Sequence, residues 1–303
     1  MTLARRRKGK PVNGWIILDK PQGMTSTQAV GKVRRLLEAQ KAGHAGTLDP
    51  LATGILPIAL GEATKTVPHI VDAAKAYRFA VTWGQERNTD DAEGDVVATS
   101  DKRPSPQAIE AVLPQFTGCI RQKPPAFSAI KLDGERAYDL ARAGEDVDIP
   151  AREVEIHDLR LLADHPGSSP DCSWFEVECG KGTYVRALAR DMGRALGCYG
   201  YISSLRRTRV GPFSEAHAFS LDMPGDLSHS ARAEDYLLPV ETALDDIPAL
   251  AITRPEAERL AFGQQIRVPF KSEGIVRVMA DDKFVAIGDL EGGVLRPLRV
   301  FNS

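Results

Sequence analysis

The chain has 303 residues, of which 43% are hydrophobic and 26% charged, and its formal net charge is −2. This composition is typical of a soluble globular protein, and the length predicts one large domain with a smaller one. No apolar run approaches the roughly 18 residues that span a bilayer. The four cysteines lack the Cys-x-x-Cys spacing of a zinc site. We therefore expect a cytoplasmic protein without a structural metal.

Basic residues are concentrated at the amino terminus and in Leu205–Arg209. Residues 1–10 contain five basic residues and no acid, with no apolar stretch behind them that would predict a secretory signal. We interpret residues 1–11 as a disordered basic arm. The second segment contains Arg206, Arg207 and Arg209. We expect both segments to contact phosphates, although each can equally carry ordinary solvated charge.

Hydrophobic periodicity predicts the elements of the first half. Residues 14–18 form a short apolar strand, and Thr25 or Ser26 caps the helix that follows. Residues 41–61 are rich in glycine and predict an ordered loop. Residues 76–83 alternate, and a polar loop follows at 84–95. The residues predicted on one face of that strand are Tyr77, Phe79, Val81 and Trp83.

The second half of the chain also alternates predicted helices and strands up to the carboxyl-terminal region. Helices are predicted at 106–116 and 184–196, and strands at 151–162 and 173–179. Residues 123–150 are rich in proline and charge, and we interpret them as an insertion over the binding face. Residues 222–248 form an acidic connector. A helix at 255–262 and short strands near 266, 276, 285 and 296 predict a small β-rich module.

The most informative stretch runs from Gly43 to Gly54 and contains His44 and Asp49-Pro50. Its three glycines allow unusual backbone angles and the close approach of a ligand. An aspartate before proline is biased away from the helical region, so its carboxylate can project from a fixed turn. Two interpretations remain open on these residues alone: Asp49 is a functional carboxylate, or it only bonds its own turn.

Further motifs accompany this stretch in order along the chain. They are Leu18-Asp19-Lys20-Pro21 with Gly23-Met24-Thr25-Ser26, Ala76-Tyr77-Arg78-Phe79, Asn88-Thr89-Asp90-Asp91-Ala92-Glu93-Gly94, Pro124-Pro125-Ala126-Phe127-Ser128-Ala129-Ile130-Lys131, Gly182-Thr183-Tyr184-Val185-Arg186 and Leu205-Arg206-Arg207. Over about residues 12–215 the combined pattern resembles the TruB-type pseudouridine synthases, the bacterial enzymes that make pseudouridine 55 in tRNA. Phe127 stands where the family often carries tyrosine, and Gly180 replaces a more usual polar residue.

The resemblance implies an α+β fold, in which a mixed, mostly antiparallel central sheet with flanking helices carries the active cleft. It implies a catalytic domain at 12–248 with a thumb insertion at about 123–150. Residues 249–303 are similar, more weakly, to the family's small RNA-binding module of the PUA type. The expected partner is the T arm of tRNA, with no membrane association and no obligate protein partner.

The implied reaction breaks the glycosidic bond of a uridine, turns the base and rejoins it through carbon. Because the product contains the same atoms, no cofactor is expected, and the chain lacks a P-loop or Rossmann fingerprint. A carboxylate can attack or stabilise an oxocarbenium-like sugar carbon, and the resemblance assigns this role to Asp49. Which chemical step comes first is open.

The resemblance also assigns the remaining site residues. Arg186 is the implied partner that holds Asp49, and Tyr77 is expected to stack on the target base, with its hydroxyl a weaker candidate for acid–base work. The target base must leave the folded T loop, which costs a few kcal/mol. The other implied substrate contacts are His44 in the vacated space, Tyr184 and Leu205 as pocket walls, Lys20 as support, and Lys131, Arg206 and Arg207 toward the RNA.

Two alternatives come from other functional classes. The first is a non-catalytic protein that binds and refolds tRNA on the same scaffold, and the joint presence of Asp49, Tyr77 and Arg186 argues against it. The second is a carbohydrate hydrolase that uses Asp90, Asp91 and Glu93 as paired carboxylates. Only 6% of the residues are aromatic, so a sugar-stacking platform is not evident.

Overall fold

The computed structural model describes residues 9–128, 130–132, 134–145, 147–221, 233–269 and 273–301. The strands in chain order are β1 Gly14–Lys20, β2 Ala42–His44, β3 Thr53–Leu60, β4 Lys75–Trp83, β5 Gln85–Arg87, β6 Val96–Thr99, β7 Gly118–Gln122, β8 Lys131–Leu132, β9 Glu135–Arg136, β10 Arg152–Leu161, β11 Cys172–Cys179, β12 Gly200–Val210, β13 Phe213–Ser214, β14 Ala218–Phe219, β15 Ala249–Ala251, β16 Ile266–Arg267, β17 Gly274–Ala280, β18 Lys283–Glu291 and β19 Val294–Val300.

Helices flank these strands, and those predicted to begin near residues 26, 106, 184 and 255 are all observed. The α-helices are α1 Ser26–Leu36, α2 Val67–Asp72, α3 Pro106–Val112, α4 Ala137–Arg142, α5 Val185–Ala195 and α6 Arg254–Ala261, and 3₁₀ turns cover Gly61–Lys65, Leu113–Phe116, Glu215–His217 and Val240–Leu244. Thr25 is the N-cap of α1, where it forms a capping box with Gln28. None of the described helices combines the length and the apolar character needed to cross a membrane.

The larger sheet has the strand order β14-β1-β3-β12-β4-β11-β10-β7, with β2 added beside β3 and β13 beside β12. The pairs β1–β14 and β3–β12 are parallel, and the remaining pairs in this sheet are antiparallel. The sheet is therefore mixed and mostly antiparallel, as predicted.

Both faces of the central strands are covered. Along β1, Ile16 and Leu18 belong to the core that packs against α1 and α5, whereas Trp15 and Ile17 belong to a second core on the opposite face. Successive side chains of a strand point to opposite faces, so a strand that is buried on both faces carries a continuous apolar run. This burial places β3, β12 and β4 in the middle of the domain, where their ends can hold a site.

The carboxyl-terminal strands form a separate five-stranded sheet with the order β15-β17-β18-β19-β16. It has its own core, which includes Leu250, Leu260 and Leu295. The module touches the 3₁₀ turn Gly61–Lys65, because Lys65 donates a hydrogen bond from Nζ to the carbonyl of Val300 in β19 at 2.8 Å. The β-rich module predicted from about residue 249 is therefore observed.

Three sequence predictions differ from the structure. The segment 41–61 contains β2 and the central strand β3 rather than a loop, because β3 is buried on both faces and shows no alternation. The predicted loop at 84–95 begins with β5, which pairs with β6. In the predicted disordered arm, Lys10 bridges to Ala39 and pairs with Glu38. Residues 1–8 and 222–232 lie outside the described residues.

Candidate active site

The loop that carries Asp49 is fixed on both sides of the aspartate. The buried hydroxyl of Ser26 donates to the carbonyl of Leu48 at 3.0 Å and accepts from its amide at 2.8 Å. The amide of Gly23 donates to the carbonyl of Pro50 at 2.8 Å. Ser26 thus attaches the start of α1 to the residue before Asp49, a role that periodicity did not reveal.

The carboxylate of Asp49 points away from its own turn. Its Oδ2 lies 3.0 Å from Nη2 of Arg186, and its side chain remains 40% exposed. The hydrogen bond that closes the turn joins the backbone amide of Ala52 to the backbone carbonyl of Asp49, not to its carboxylate. The geometry therefore favours a functional carboxylate over one that only bonds its turn.

Arg186, in the first turn of α5, joins three segments at this point. Its guanidinium is 6% exposed and lies 3.3 Å from Asp91 as well as 3.0 Å from Asp49. It also donates to the carbonyls of Thr89 at 2.8 Å and Phe127 at 2.9 Å. The contact with Asp49 is through one nitrogen and one oxygen, not the two-pronged pairing that arginine can form with a carboxylate.

A cavity of about 360 Å³ opens beside the Asp49–Arg186 pair. Tyr77 from β4 and Leu205 from β12 line it, as does Tyr184 at the N-cap of α5. Burial raises the pKa of Tyr77, and the positive charge of Arg207 opposes this shift. The residues that the resemblance assigns to the uridine pocket are thus brought together in one place.

Tyr184 is held by a residue that sequence reasoning missed. The buried side-chain amide of Gln122 accepts from the Tyr184 amide at 2.8 Å and donates to its carbonyl at 3.1 Å. On its other side, the guanidinium of Arg152 lies 5.3 Å from the centre of the Tyr184 ring. Nothing in the motif patterns distinguishes Gln122 or Arg152, because both follow from how β7 and β10 pair.

A second cavity, of about 340 Å³, lies on the other side of Asp49 and Arg186. His44 and Ser128 line it, and each has a buried polar atom, Nδ1 and Oγ respectively, without a hydrogen-bond partner among the described residues. Burial, followed by the charge of Arg207, lowers the pKa of His44. An uncharged imidazole with a free nitrogen is suited to contact a nucleic-acid base.

Lys20 and Arg207 are buried residues that hold the backbone around the site. Lys20 is completely buried and donates to the carbonyls of Pro21 and Met24 at 3.0 and 2.7 Å. Burial lowers its pKa to about 8, while the charge of Asp49 opposes this shift. Arg207 is 1% exposed and donates to the carbonyls of Ile55 and Gly46 at 2.7 and 3.1 Å. Lys20 thus holds the backbone around the site. Arg207 is bound to backbone carbonyls but also lines the cavity that contains Tyr77, so its contact with substrate stays a prediction.

Arg206 does not face the site. In the register of β12 and β4, Arg206 lies opposite Arg78, whereas Arg207 lies opposite Tyr77. Because successive residues of a strand alternate between faces, Arg206 points to the face of the sheet away from Tyr77. There it forms two bonds of 2.9 Å with Asp19 and one of 2.6 Å with Glu215. Arg209 pairs with Glu178 at 2.6 Å. For Arg206 and Arg209, these ion pairs within the protein argue against the predicted phosphate contacts. The side chain of Lys131 lies outside the described part of the structure.

This placement of Arg206 leads to a testable prediction. Arg206→Gln should leave the affinity for tRNA and its salt dependence unchanged, because the lost cation never reaches the RNA. Arg152→Gln is the matched variant from the wall of the Tyr77 cavity, and it should weaken binding and reduce the salt slope by about one unit. Binding titrations at several salt concentrations provide the measurement. A reduced slope for Arg206→Gln would contradict the assignment.

The described residues contain no group of three or more histidines, cysteines, aspartates or glutamates arranged to hold a metal ion. The predicted catalytic carboxylates also differ in environment. Asp90 and Asp91 are 5% and 3% exposed and are paired with arginines, whereas Asp49 opens to both cavities. Asp49 is thus the carboxylate that a ligand can reach from both cavities.

Comparison with known proteins identifies the family. Residues 34–185 match the model for the amino-terminal domain of the TruB family pseudouridylate synthases. Residues 186–245 match the tRNA pseudouridylate synthase B C-terminal domain, and residues 248–301 match the C-terminal model of pseudouridine synthase II TruB. Successive family models thus cover most of the chain.

Curated relatives and solved structures point to the same family. The tRNA pseudouridine synthase B of Nitrobacter winogradskyi is 58% identical over 98% of this chain and 85% of its own length, and that of Caulobacter vibrioides is 54% identical over 99% of both chains. An H/ACA RNP bound to a substrate RNA containing 2'-deoxyuridine matches with TM-score 0.72 and 26% identity over 99% of this chain and 92% of that one. A Cbf5-Nop10-Gar1 complex matches with TM-score 0.69 and 27% identity over 95% and 85%. These matches confirm the predicted fold class, and the chain belongs to the TruB family of pseudouridylate synthases.

Proposed function

We propose that this protein converts uridine 55 in the T loop of tRNA to pseudouridine in the cytoplasm, with Asp49 as its catalytic carboxylate. The observation that carries the proposal is the placement of Asp49, which is held by a buried arginine and opens to the cavity that contains Tyr77. Membership of the family supports the reaction, and the names of its relatives, tRNA pseudouridine synthase B, support the substrate.

The reaction requires that the bond between the base nitrogen and the sugar breaks and that a carbon of the same base takes its place. Positive charge develops on the sugar carbon as the first bond breaks, so a carboxylate at van der Waals distance can stabilise it or attack it. Asp49 supplies the carboxylate, and its 40% exposed side chain leaves an oxygen accessible to a ribose.

Arg186 positions that carboxylate and does not need to touch the base. Its guanidinium is fixed by the carbonyls of Thr89 and Phe127, so the nitrogen near Asp49 has little freedom to move. A preorganised partner of this kind costs no reorganisation when the transition state forms. Asp91 is a second carboxylate beside the same guanidinium, at 3.3 Å.

Tyr77, Tyr184 and Leu205 offer apolar walls to the extruded base. An aromatic face stacks on any base, and such contacts contribute about 1–3 kcal/mol each. His44 lies in the neighbouring cavity, where its imidazole can occupy space that the base leaves. The cavity at Tyr77 is thus suited to one base, and the cavity at His44 to the loop from which it came.

If Tyr77 acts mainly by stacking, Tyr77→Phe should retain substantially more activity than Tyr77→Leu. Burial raises the pKa of the Tyr77 hydroxyl, so this group stays protonated at neutral pH and is a poor base in the resting site. Single-turnover rates of pseudouridine formation provide the measurement. Equal losses in the two variants would assign the essential role to the hydroxyl instead of the ring.

The competing function is a tRNA-binding protein that refolds the T arm without chemistry. Binding alone does not require an exposed carboxylate held at 3.0 Å by a buried guanidinium. The hydrolase alternative loses two of its three carboxylates, because Asp90 and Asp91 are buried in ion pairs with arginines. Cbf5 occurs with Nop10 and Gar1 in the matched complex. For this chain we propose activity without an obligate protein partner.

The experiment is to incubate the purified protein with an unmodified tRNA transcript and to map pseudouridine along it. We expect modification of a single uridine in the T loop by the protein alone. A transcript that is bound and refolded but carries no pseudouridine would favour the refolding function.

A further inference from the structure

Helix α5 carries a second buried arginine one turn after Arg186. Arg190 is 7% exposed, and each of its nitrogens is bonded. Its Nη1 donates to Oδ2 of Asp90 at 2.9 Å, its Nη2 to the carbonyl of Lys123 at 2.8 Å, and its Nε to Asp191 at 2.8 Å. No motif that predicted the function uses Arg190.

The carbonyl of Lys123 lies at the base of the thumb. We call Gln122–Phe127 the thumb root, because it leads from β7 into the predicted thumb at 123–150. The α5 region holds the thumb root at three points: the Tyr184 backbone at Gln122, Arg190 at Lys123 and Arg186 at Phe127. A single short helix thereby fixes the position from which the thumb extends.

The same two arginines hold the acidic turn, residues 88–94. Arg186 contacts Thr89 and Asp91, and Arg190 contacts Asp90 between them. Asp90 has a positive φ of 61°, a conformation that costs a residue other than glycine free energy unless its surroundings enforce it. Burial raises the pKa of Asp90 to about 6, and the charges of Arg190 and then Arg186 oppose this shift. Arg190 is thus the residue that pairs with the carboxylate of this strained position.

We propose that Arg190 is a positioning residue: with Asp90 it clamps the acidic turn to the thumb root, and so keeps the Asp49–Arg186 pair aligned with the thumb. This inference rests on the proposed function. Arg190 does not border either cavity at Asp49, so it acts on the reaction only through Arg186 and the thumb. The clamp couples binding of RNA by the thumb to the placement of the catalytic carboxylate.

A simple charge-compensating role for Arg190 makes a different prediction. In that case its function is to neutralise buried Asp90, and removing both charges together should restore a working enzyme. Breaking a buried pair from one side is strongly destabilising, whereas replacing both partners is often tolerated. The double variant Asp90→Asn/Arg190→Met removes the uncompensated charge but also the bond to Lys123, so it separates the two roles.

The experiment compares the full-length parent, the double variant and Arg190→Lys, which keeps the charge opposite Asp90 but lacks the planar fork. Arg194→Met is the matched control, because Arg194 lies one turn further along α5 and bonds Glu86 instead of the thumb root. Three quantities are measured: the single-turnover rate at saturating tRNA, the tRNA affinity, and the rate of tryptic cleavage within residues 123–150.

We expect both Arg190 variants to slow the chemical step by at least about 30-fold, to bind tRNA within about threefold, and to be cleaved faster in the thumb. Arg194→Met should match the parent in each measurement. A parental single-turnover rate in the double variant, or a parental cleavage pattern in both variants, would overturn the clamp. If the parent itself forms no pseudouridine, the proposed function fails, while the cleavage comparison still tests whether Arg190 holds the thumb.

Discussion

Asp49→Asn should bind tRNA within about tenfold of the parent, equivalent to ~1.4 kcal/mol, and form no detectable pseudouridine. Asparagine preserves the shape of the side chain but removes the charge that attacks or stabilises the developing sugar cation. An interaction that strengthens only in the transition state changes the rate far more than the binding. The loop should keep its fold, because its anchors are Ser26 and backbone groups, not the Asp49 carboxylate.

The measurement combines tRNA binding, thermal unfolding and mapping of pseudouridine for the same preparation. Asp171→Asn is a suitable control, because Asp171 is an exposed carboxylate that pairs with Arg103 away from the site. Loss of folding and binding together in Asp49→Asn would make Asp49 a structural turn residue. Retained pseudouridine formation would contradict the mechanism and direct attention to Asp90 and Asp91.

The second large effect is expected for Arg186→Lys, which should lower turnover at least ~100-fold, or about 2.7 kcal/mol of transition-state stabilisation. Lysine keeps the positive charge but has no planar fork. It cannot reach Asp49, Asp91 and the carbonyls of Thr89 and Phe127 at the same time. The carboxylate then loses its fixed partner while tRNA affinity changes little.

Single-turnover kinetics at saturating tRNA measure this loss directly, and circular dichroism monitors the fold. Arg160→Lys serves as a control for the same exchange, since Arg160 forms an exposed ion pair with Glu176. A near-parental rate for Arg186→Lys would show that the guanidinium does not orient Asp49.

The local pattern of the sequence predicted β4, α1 and α5 but not β3. The alternation at 76–83 identified β4, in which buried and partly exposed residues are mixed, and the 3.6-residue period identified α1 and α5. α1 has one buried and one exposed face, whereas α5 is buried over most of its length. β3 was missed because it is buried on both faces, contains glycine and proline, and therefore resembles a loop. A strand at the centre of a sheet loses the alternation on which such predictions depend.

The site could be predicted only in part, for reasons of geometry. Motifs identified Asp49, Tyr77 and Arg186, which the fold brings together around one cavity. Motifs could not reveal which of Arg206 and Arg207 shares the face of Tyr77, since that follows from the register with β4. Motifs could not predict the role of Gln122 either, because it depends on a hydrogen bond to the Tyr184 backbone, 62 residues away in sequence.

The most direct test of the account is the position and yield of modification when the parent protein acts on excess unmodified tRNA. If Asp49 catalyses isomerisation at the T loop, each enzyme molecule should convert many transcripts. All pseudouridine should lie at uridine 55, and no free uracil should be released, because the base is rejoined to the same sugar. Tight binding of the transcript without any pseudouridine, or pseudouridine at other uridines only, would contradict the account.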